Sequence, residues 1–314
     1  MSLLGGIYGA VIGARNRLYD RGFLRARRLA GPVVSVGNIS AGGAGKTPFV
    51  IVLGELLKQR GVGFDVLSRG YGRSTRGVRL VDPNGSAEEC GDEPLMIARR
   101  LKCPVVVGES RYQAGVFAEK KFGPQLHILD DGFQHRSLAR DLDIVLVTFE
   151  DLKDDLLPTG RLRERVKSLD RAHVVVISGD FDAPALPVLD KPVWRVHRDV
   201  EISAPPARPV VFCGIARPQR FIDQLRSKGI SPVAEKFYRD HHAYSERDID
   251  ELLRLKTQSN ADGFITTEKD AVNLGQRIAS LGTISLAKVT MEIVDPADAV
   301  DTVLRVIQDR GQRT

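Results

Sequence analysis

The feature that most constrains this chain is a β-branched run that ends in a glycine-rich turn. Val33-Val34-Ser35-Val36 predicts a buried strand, and Gly42-Gly43-Ala44-Gly45-Lys46-Thr47 follows it closely. The glycines allow backbone N–H groups to turn towards a polyphosphate, the lysine can reach the outer phosphates, and the threonine hydroxyl suits a magnesium ion. The pattern GxxxxGK(S/T) is met except at its first position, where Ser40 replaces glycine. The stretch predicts a phosphate-binding loop, and a chance glycine-rich loop is the alternative.

An amphipathic helix is predicted directly after this loop, as phosphate-binding loops require. Pro48 lies near its start, where a missing N–H costs little, and Gly61 can end it. Because the N-terminus of a helix is the positive end of its dipole, this helix favours an anion bound in the loop. The apolar residues that recur at helical spacing are Phe49, Val50, Leu53, Leu56 and Leu57.

Strands and helices alternate from Val33 onwards, which predicts an α/β fold on a mainly parallel sheet. The length of 314 residues suits about two domains. We predict a two-lobed α/β/α sandwich with a P-loop NTPase-like, mainly parallel sheet in the N-terminal lobe and a smaller α/β C-terminal lobe. The expected units are a nucleotide-binding domain at 1–185, a proline-rich linker at 186–208 with one extended run at 193–196, and a second domain at 209–314.

The chain is basic and contains few cysteines. Its net charge of +6 and its pI of about 9.3 favour anionic partners, among them nucleotides, phospholipid headgroups and nucleic acid. Aromatic residues make up 6% and do not cluster with arginines, which argues against a nucleic-acid groove. Cys90, Cys103 and Cys213 are too few and too scattered for a disulfide framework, so we expect a reducing compartment, the cytosol.

The N-terminal segment combines apolar and basic residues. An apolar stretch at 3–14 precedes a group of arginines, which is the reverse of the order in a signal peptide. The stretch is also shorter than the roughly 20 residues that cross a bilayer. As a helix it would place its large apolar residues on one face, as in helices that lie in a membrane interface. These residues are Leu4, Tyr8, Val11 and Ile12. A helix packed on the core of the protein itself is the alternative.

Adjacent carboxylates end another predicted strand. Asp130 and Asp131 follow the apolar run 126–129, and P-loop enzymes hold magnesium with a carboxylate at such a position. Metal or phosphate binding is favoured because a phosphate loop precedes them, and a solvated turn is the alternative.

The sequence Gly-Asp-Glu-Pro at 91–94 has a structural interpretation, since its aspartate suits a helix N-cap and its proline suits the first turn of a helix.

Three further segments leave alternatives open. Residues 68–73, Ser-Arg-Gly-Tyr-Gly-Arg, can form an anion clamp or a surface turn. Asp240-His241-His242 suggests either a zinc site or an aspartate that holds the imidazole tautomer for proton transfer. The zinc interpretation is disfavoured because no further His or Cys lies at ligand spacing nearby. Residues 158–164 contain two arginines that can neutralise phosphate charge or form a solvated basic face.

Taken together, these motifs resemble the tetraacyldisaccharide 4'-kinases, the lipid A 4'-kinase family of outer-membrane lipid biosynthesis. The resemblance runs nearly end to end and rests on stretches that occur in order: SVGNISAGGAGKTPFV, LSRGYGR, GDEP, LDDGFQH, DLDIVLV, LLPTGRLRE, DHH and ITTEKDAV. The residues by themselves indicate only an NTP-using enzyme that requires magnesium.

The resemblance implies transfer of the γ-phosphoryl group of ATP, with Mg²⁺, to the 4'-hydroxyl of a tetraacylated glucosamine disaccharide 1-phosphate, which gives lipid IVA. It also implies a peripheral protein on the cytoplasmic face of the bacterial inner membrane. The expected partners are the lipid disaccharide 1-phosphate and the inner-membrane surface, which an N-terminal segment at 1–30 would contact. We expect a monomer and no nucleic acid.

The resemblance also assigns roles to residues. Asp92 would be the base that accepts the proton of the sugar hydroxyl, with His241 and Asp240 of the second lobe coupled to it, which replaces the N-cap interpretation. Catalysis would then depend on closure of the lobes. Lys46, also expected to be a catalytic residue, would hold the phosphates. The expected nucleotide-binding residues are Ser40, Ala41, Gly42, Gly43, Ala44, Gly45, Lys46, Thr47 and Arg163. The expected metal ligands are Thr47, Asp130, Asp131 and Glu164.

A P-loop GTPase that acts as a switch or as a metal-insertion chaperone is the main alternative function. Such proteins read guanine with an NKxD motif. Thr267-Glu268-Lys269-Asp270 does not match this motif, because its lysine and aspartate are adjacent. The sequence therefore favours the kinase.

Overall fold

The computed structural model describes residues 3–179 and 190–312. The strands are β1 (Val33–Asn38), β2 (Phe64–Ser68), β3 (Arg79–Leu80), β4 (Val105–Val107), β5 (Leu126–Asp130), β6 (Leu142–Val147), β7 (Val174–Ser178), β8 (Val193–Ile202), β9 (Pro209–Cys213), β10 (Ala234–Phe237), β11 (Gly263–Thr267) and β12 (Ile284–Ile293). The α-helices are α1 (Leu3–Asp20), α2 (Lys46–Gln59), α3 (Ala87–Cys90), α4 (Asp92–Leu101), α5 (Arg111–Phe122), α6 (Pro218–Ser227), α7 (Glu246–Gln258), α8 (Glu268–Leu274) and α9 (Pro296–Gly311).

These strands form one twelve-stranded sheet in the order β10-β9-β11-β12-β8-β7-β6-β1-β5-β2-β4-β3. Neighbouring strands run parallel except in the pairs β3–β4 and β8–β12. Parallel strands are buried on both faces, and for this reason they read in the sequence as uninterrupted hydrophobic runs. The predicted fold class, a two-lobed α/β/α sandwich with a mainly parallel sheet, is confirmed.

β8 joins the two halves of the sheet. It pairs parallel with β7 and antiparallel with β12, and it is 10 residues long. The sequence predicted a linker with an extended run at 193–196, and the strand is longer than predicted because Trp194, Val196 and Val200 are all buried. The start of the predicted linker, 186–189, lies outside the described residues. The domain boundaries stay a prediction.

Helices α2, α4 and α9 cover one face of the N-terminal half of the sheet. Helix α9 comes from the far end of the sequence, and Asp298 in it accepts a hydrogen bond from Trp194 Nε1 at 2.8 Å. Helix α5 covers the opposite face with Ala114 and Ala118. The last helix therefore stabilises the half of the sheet that carries the phosphate loop. The core of the first face includes Val34, Val36, Phe49, Leu53, Leu95, Val300 and Val303.

Helix α1 lies on the surface. Leu4, Ile7 and Val11 are 63%, 56% and 62% exposed, whereas Tyr8 packs against a hydrophobic cluster and Ile12 lines a cleft. The predicted apolar face is thus divided between solvent and protein. None of the helices at 3–179 or 190–312 has the length and hydropathy of a membrane span.

The strand register places the phosphate loop beside the predicted carboxylates. Val36 of β1 lies opposite Asp130 of the parallel strand β5, so the loop and the carboxylate leave the sheet at the same edge. The turn after β5 then folds back closely on β1. A Cβ atom added to Gly37 would lie 2.5 Å from Cβ and 2.8 Å from N of Phe133. Glycine at position 37 therefore permits this close approach.

Replacing Gly37 with alanine is expected to destabilise the protein, because the new methyl group meets backbone that has little room to move. Overpacking of this kind costs about 1–3 kcal/mol, so calorimetry should show a Tm several degrees lower. Gly13→Ala in α1 is the matched control, since a Cβ there meets no described residue within 4 Å, and its Tm should equal or exceed that of the wild type. Equal melting of the two variants would show that the turn tolerates the methyl group.

Candidate active site

A cleft of about 1350 Å³ opens at the edge of the sheet where β1, β2 and β5 end. Both halves of the sheet contribute to its walls. The loop residues 42–47, Asp130 and Asp131 line it from the N-terminal half, and Asp240 and His241 line it from the C-terminal half. Ligands of open parallel sheets bind at this edge. The structure thus brings most of the predicted site residues together.

The phosphate loop requires glycine at three positions. Gly42, Gly43 and Gly45 have φ angles of 72°, 72° and 83°, in the left-handed region that residues with a side chain disfavour. Helix α2 begins at Lys46, directly after Gly45 as its N-cap. The free N–H groups of its first turn, with the positive end of its dipole, therefore lie at the cleft.

Two of the predicted nucleotide-binding residues, Ser40 and Ala41, do not line the cleft. Ser40 is fully buried, and its Oγ accepts a hydrogen bond from Asn38 Nδ2 at 3.1 Å. The N–H of Ala41 donates to the carbonyl oxygen of Arg161 at 2.7 Å. These residues shape the loop from behind. Ser40 is not among the residues with positive φ, which explains why serine can stand where the motif has glycine.

Lys46 and Asp131 form an ion pair inside the cleft. Lys46 Nζ lies 3.4 Å from Oδ1 of Asp131 and donates to Asn38 Oδ1 at 3.1 Å. Arg163 Nη1 donates to Asp131 Oδ2 at 2.7 Å. Burial by itself would raise the pKa of Asp131, but the charges of Lys46 and Arg163 outweigh it and hold the pKa below its ordinary value. A protein carboxylate therefore holds both cations at the place where a phosphate would compete for them.

Among the described residues, no cation lies at hydrogen-bond distance from Asp130. Its Oδ2 accepts a hydrogen bond from Ser68 Oγ at 3.3 Å, while its Oδ1 is buried without a hydrogen-bond partner in the described part of the chain. Burial and the negative charges of Glu93 and Asp131 raise the pKa of Asp130 to about 7. An orphaned carboxylate oxygen of this kind fits a bound cation. Asp130 and the hydroxyl of Thr47, which lines the same cleft, are ligand types that Mg²⁺ accepts.

The structure does not bring the predicted metal ligand Glu164 to this cleft. The Glu164 carboxylate is buried and accepts hydrogen bonds from Asn16 Nδ2 at 2.8 Å and from Arg171 Nη2 at 2.9 Å. It lines a second cavity beneath α1 instead. Asn16 lies 148 positions away in the sequence, so motif spacing could not reveal this contact. The adjacent Arg163 faces the cleft.

In the described ranges, no group of three or more His, Cys, Asp or Glu side chains is arranged to hold a metal ion. Magnesium is usually held by one or two carboxylates together with substrate phosphates, and so it does not require such a group. His242 stacks on the ring of Tyr238 and lies 3.2 Å from Asp248 Oδ2. The Asp-His-His segment therefore separates its two histidines, which disfavours a zinc site there.

Asp92 and His241 meet although 149 positions separate them. His241 Nδ1 lies 2.8 Å from Oδ2 and 3.1 Å from Oδ1 of Asp92. Asp92 is 4% exposed, and His241 is the member of the pair that lines the cleft. Helix α4 begins at Asp92 with Gly91 as its N-cap, so Asp92 is not the cap residue that its structural interpretation expected.

Lys269 and Asn273 complete this pair, and neither was predicted from the sequence to belong to the site. Lys269 Nζ donates to Asp240 Oδ1 at 2.7 Å and lies 3.4 Å from His241 Nε2. Asn273 Nδ2 donates to Asp92 Oδ2 at 3.1 Å. Both residues belong to α8. One sequence signal could have indicated Lys269. It lies in the polar first turn of a helix that directly follows a strand of a parallel sheet, and ligands commonly bind at such positions.

The pKa values of Asp92 and His241 are shifted in opposite directions. Burial would raise the pKa of Asp92, but the hydrogen bond to His241 and the charge of Lys269 bring it below its ordinary value. Burial would lower the pKa of His241, but the hydrogen bond to Asp92 and its charge bring it above its ordinary value. The two groups therefore stabilise each other in their charged forms.

A group of cations lies on the α1 side of the cleft. Arg15, Arg69 and Arg111 all line it, which favours the anion-clamp interpretation of residues 68–73. Burial lowers the pKa of Arg111 to about 10, although the charges of Asp130 and Asp131 oppose this shift. Burial and the positive charge of Arg111 lower the pKa of the neighbouring His135 to about 4. This side of the cleft therefore suits an anion.

Replacing His241 with glutamine is expected to raise the pKa of Asp92, because the variant lacks the imidazole hydrogen bond and charge that lower it. Carbon-13 NMR titration of the aspartate carboxylates measures this change. His242→Gln is the matched control and should leave Asp92 unaffected. An unchanged Asp92 titration in His241→Gln would contradict the coupling between the two groups.

Comparisons with known proteins identify the family. A sequence model described as Tetraacyldisaccharide-1-P 4'-kinase matches residues 1–308. The tetraacyldisaccharide 4'-kinase of Koribacter versatilis is 48% identical over 320 residues, with 99% of this chain and 99% of that protein covered. The tetraacyldisaccharide 4'-kinase of Aquifex aeolicus is 39% identical over 285 residues, with 85% of this chain and 87% of that protein covered.

A solved structure is also similar. It is the crystal structure of the "apo" form of LpxK from Aquifex aeolicus in complex with ATP, which matches with a TM-score of 0.80 and 33% identity over 97% of each chain. The resemblance based on the ordered motifs is confirmed, and the P-loop GTPase alternative is not supported. The chain, whose cleft combines a phosphate loop with a carboxylate–imidazole pair, belongs to the tetraacyldisaccharide-1-P 4'-kinase family.

Proposed function

We propose that this protein transfers the γ-phosphoryl group of ATP to the 4'-hydroxyl of a tetraacylated glucosamine disaccharide 1-phosphate, with Mg²⁺, and so forms lipid IVA. The observation that carries the proposal is the presence in one cleft of a phosphate loop, the orphaned carboxylate oxygen of Asp130 and the Asp92–His241 pair. The names of the relatives and the ATP in the Aquifex aeolicus structure support it.

The phosphates of the nucleotide would bind at loop residues 42–47. Phosphate oxygens would compete with Asp131 for Lys46 and Arg163, and the first N–H groups of α2 would add donors. Asp130 and Thr47 would hold Mg²⁺. The bound ion neutralises phosphate charge and so favours departure of ADP.

The Asp92–His241 pair would take the proton of the attacking hydroxyl. As the 4'-oxygen forms its bond to the γ-phosphorus, the bond from that phosphorus to the bridging oxygen of ADP breaks. The proton passes to Nε2 of His241 in its neutral form, and Asp92 at Nδ1 stabilises the imidazolium that results. Asp92 also accepts hydrogen bonds from the N–H of Glu93 and from Asn273, behind the imidazole that lines the cleft. We therefore assign proton transfer to the pair rather than to Asp92 alone, with Asp240 holding Lys269 beside it.

The cations near α1 would bind the 1-phosphate of the acceptor. Arg15 Nε and Arg111 Nε are buried without a hydrogen-bond partner in the described part of the chain, and Arg69 lines the same region of the cleft. The 1-phosphate lies at the opposite end of the disaccharide from the 4'-hydroxyl. These arginines and the Asp92–His241 pair would therefore hold the two ends of one substrate.

Helix α1 would contact the membrane. Tyr8 and Ile12 line the cleft, and Leu4, Ile7 and Val11 are exposed on the same helix, so α1 carries apolar side chains both at the cleft and on its outer side. Acyl chains of a lipid substrate match such a surface. We propose that the protein binds peripherally to the cytoplasmic face of the bacterial inner membrane and acts as a monomer.

Incubation with γ-labelled ATP and the 1-phosphorylated lipid disaccharide tests the function. Lys46→Ala is expected to abolish label transfer, because it removes the cation that follows the phosphate loop. Asp92→Asn should lower kcat by about 10²–10⁴ and retain ATP binding, as expected for lost proton transfer. Lys120→Ala, at an exposed position of α5, is the control. Absence of label on the lipid with the wild type would overturn the proposal, and loss of ATP affinity in Asp92→Asn would overturn the proton-transfer role.

The double variant Ile7→Asp, Val11→Asp is expected to sediment less with vesicles of phosphatidylglycerol and phosphatidylethanolamine. Burial of one such apolar side chain in the membrane interface contributes about 1.5–3 kcal/mol to the free energy of binding, and an aspartate at the same position does not contribute it. Activity on substrate dispersed in detergent should persist, which separates docking from catalysis. Phe122→Asp, an exposed apolar residue at the end of α5, is the matched control. Unchanged sedimentation of the double variant would exclude α1 as the docking element.

A further inference from the structure

A loop of the C-terminal half lies against the phosphate loop. Residues 214–217 connect β9 to α6, and both Ala216 and Arg217 line the cleft. A Cβ atom added to Gly42 would lie 3.3 Å from Cβ of Ala216. A Cβ atom added to Gly43 would lie 3.0 Å from Nε and 3.5 Å from Cζ of Arg217. The guanidinium group of Arg217 therefore packs directly on the backbone that is expected to hold phosphate.

The terminal nitrogens of Arg217 have no acceptor among the residues that the structure describes. Nη1 and Nη2 are both buried, and neither has a hydrogen-bond partner in residues 3–179 and 190–312. The Glu150 carboxylate lies 3.8 Å from Nη1, which is beyond hydrogen-bond distance, and it is engaged with Arg220. Buried donors without an acceptor are rare in folded proteins, because each forfeits the hydrogen bonds it makes to water. Two such donors on one side chain indicate an absent acceptor.

The charges around Arg217 also favour an anion. Arg217 is the N-cap residue of α6, where the positive end of the helix dipole disfavours a cation. Burial and the charge of Arg161 lower the pKa of Arg217, although the charges of Asp151 and Asp154 oppose this shift. Arg198, which lines the same cleft, is close enough for Arg217 to lower its pKa as well. A polyphosphate bound in the loop, beside these guanidinium groups, would relieve the repulsion among them.

We infer that Arg217 is a phosphate-binding residue for the nucleotide, supplied by the C-terminal half of the chain, whereas Lys46 belongs to the N-terminal half. The inference rests on the proposed use of ATP and adds to it a contact from outside the P-loop half. A planar guanidinium has several donors and can hold two phosphate oxygens at once, which suits the charge that spreads over the transferred phosphoryl group. A triphosphate in the loop would then meet one cation from each half of the chain.

The test compares Arg217→Ala and Arg217→Lys with the wild type in calorimetric titrations with a non-hydrolysable ATP analogue and with AMP. We expect Arg217→Ala to bind the ATP analogue about 10- to 100-fold more weakly and AMP equally well, because a hydrogen-bonded charge pair with the outer phosphates is lost. In steady-state assays its kcat should fall about 10²–10³-fold with an unchanged KM for the lipid. Arg217→Lys keeps the charge but loses the planar pair of donors, and it should recover part of both losses.

Arg226→Ala is the matched control, since Arg226 lies on α6, the helix that begins directly after Arg217 in the chain, and pairs with Glu235 at 2.9 Å outside the cleft. It should behave as the wild type. Unchanged affinity for the ATP analogue and unchanged kcat in Arg217→Ala would overturn the inference alone. Equal loss of affinity for the ATP analogue and for AMP in Arg217→Ala would show that Arg217 has a structural role. A change confined to the KM for the lipid would show that Arg217 binds the phosphate of the acceptor. Either result would overturn the inference. Failure of the wild type to bind the analogue would overturn the proposed function together with it.

Discussion

The parallel pairing of β1 with β5 is the constraint on which the site depends. Parallel strands present their C-terminal ends at the same edge of a sheet, so the pairing of Val36 with Asp130 sets the phosphate loop beside a carboxylate. The absence of a side chain at Gly37 lets the turn after β5 approach β1 closely. The start of α4, which carries Asp92, contributes to the same region. The N-terminal half of the cleft thus follows from the direction and register of a few strands.

The C-terminal half completes the cleft by the same rule. Arg217, His241 and Lys269 follow the ends of β9, β10 and β11, three strands that run parallel to one another. Strand β8 continues the sheet between the halves, and α9 returns to pack on α2 through the hydrophobic cluster they share. The residues that face the phosphate loop are therefore held on the same continuous sheet as the loop.

The charges in the cleft are only partly matched to one another. Lys46 and Arg163 share the carboxylate of Asp131, one oxygen of Asp130 has no partner in the described residues, and the guanidinium tips of Arg217 lack acceptors there. Each mismatch costs stability, and the buried core beneath the site supplies the compensating energy. A triphosphate and a divalent cation carry the opposite charges. Charged groups that the fold already holds in place need little rearrangement when such ligands bind. Preorganised groups of this kind stabilise the charge that develops in a transition state.

Short stretches of sequence determined the fold class, the phosphate loop, the carboxylates after β5 and the family, because left-handed glycines, strand ends and ordered motifs depend on residues that are near in the chain. The tertiary structure decided the rest. It extended β8 into a full strand, turned Glu164 towards Asn16 while Arg163 faces the cleft, joined Asp92 to His241, and added Lys269 and Arg217 to the site. These features depend on which distant elements pack together and on where each side chain then points. The spacing of residues within a short stretch of sequence does not determine either.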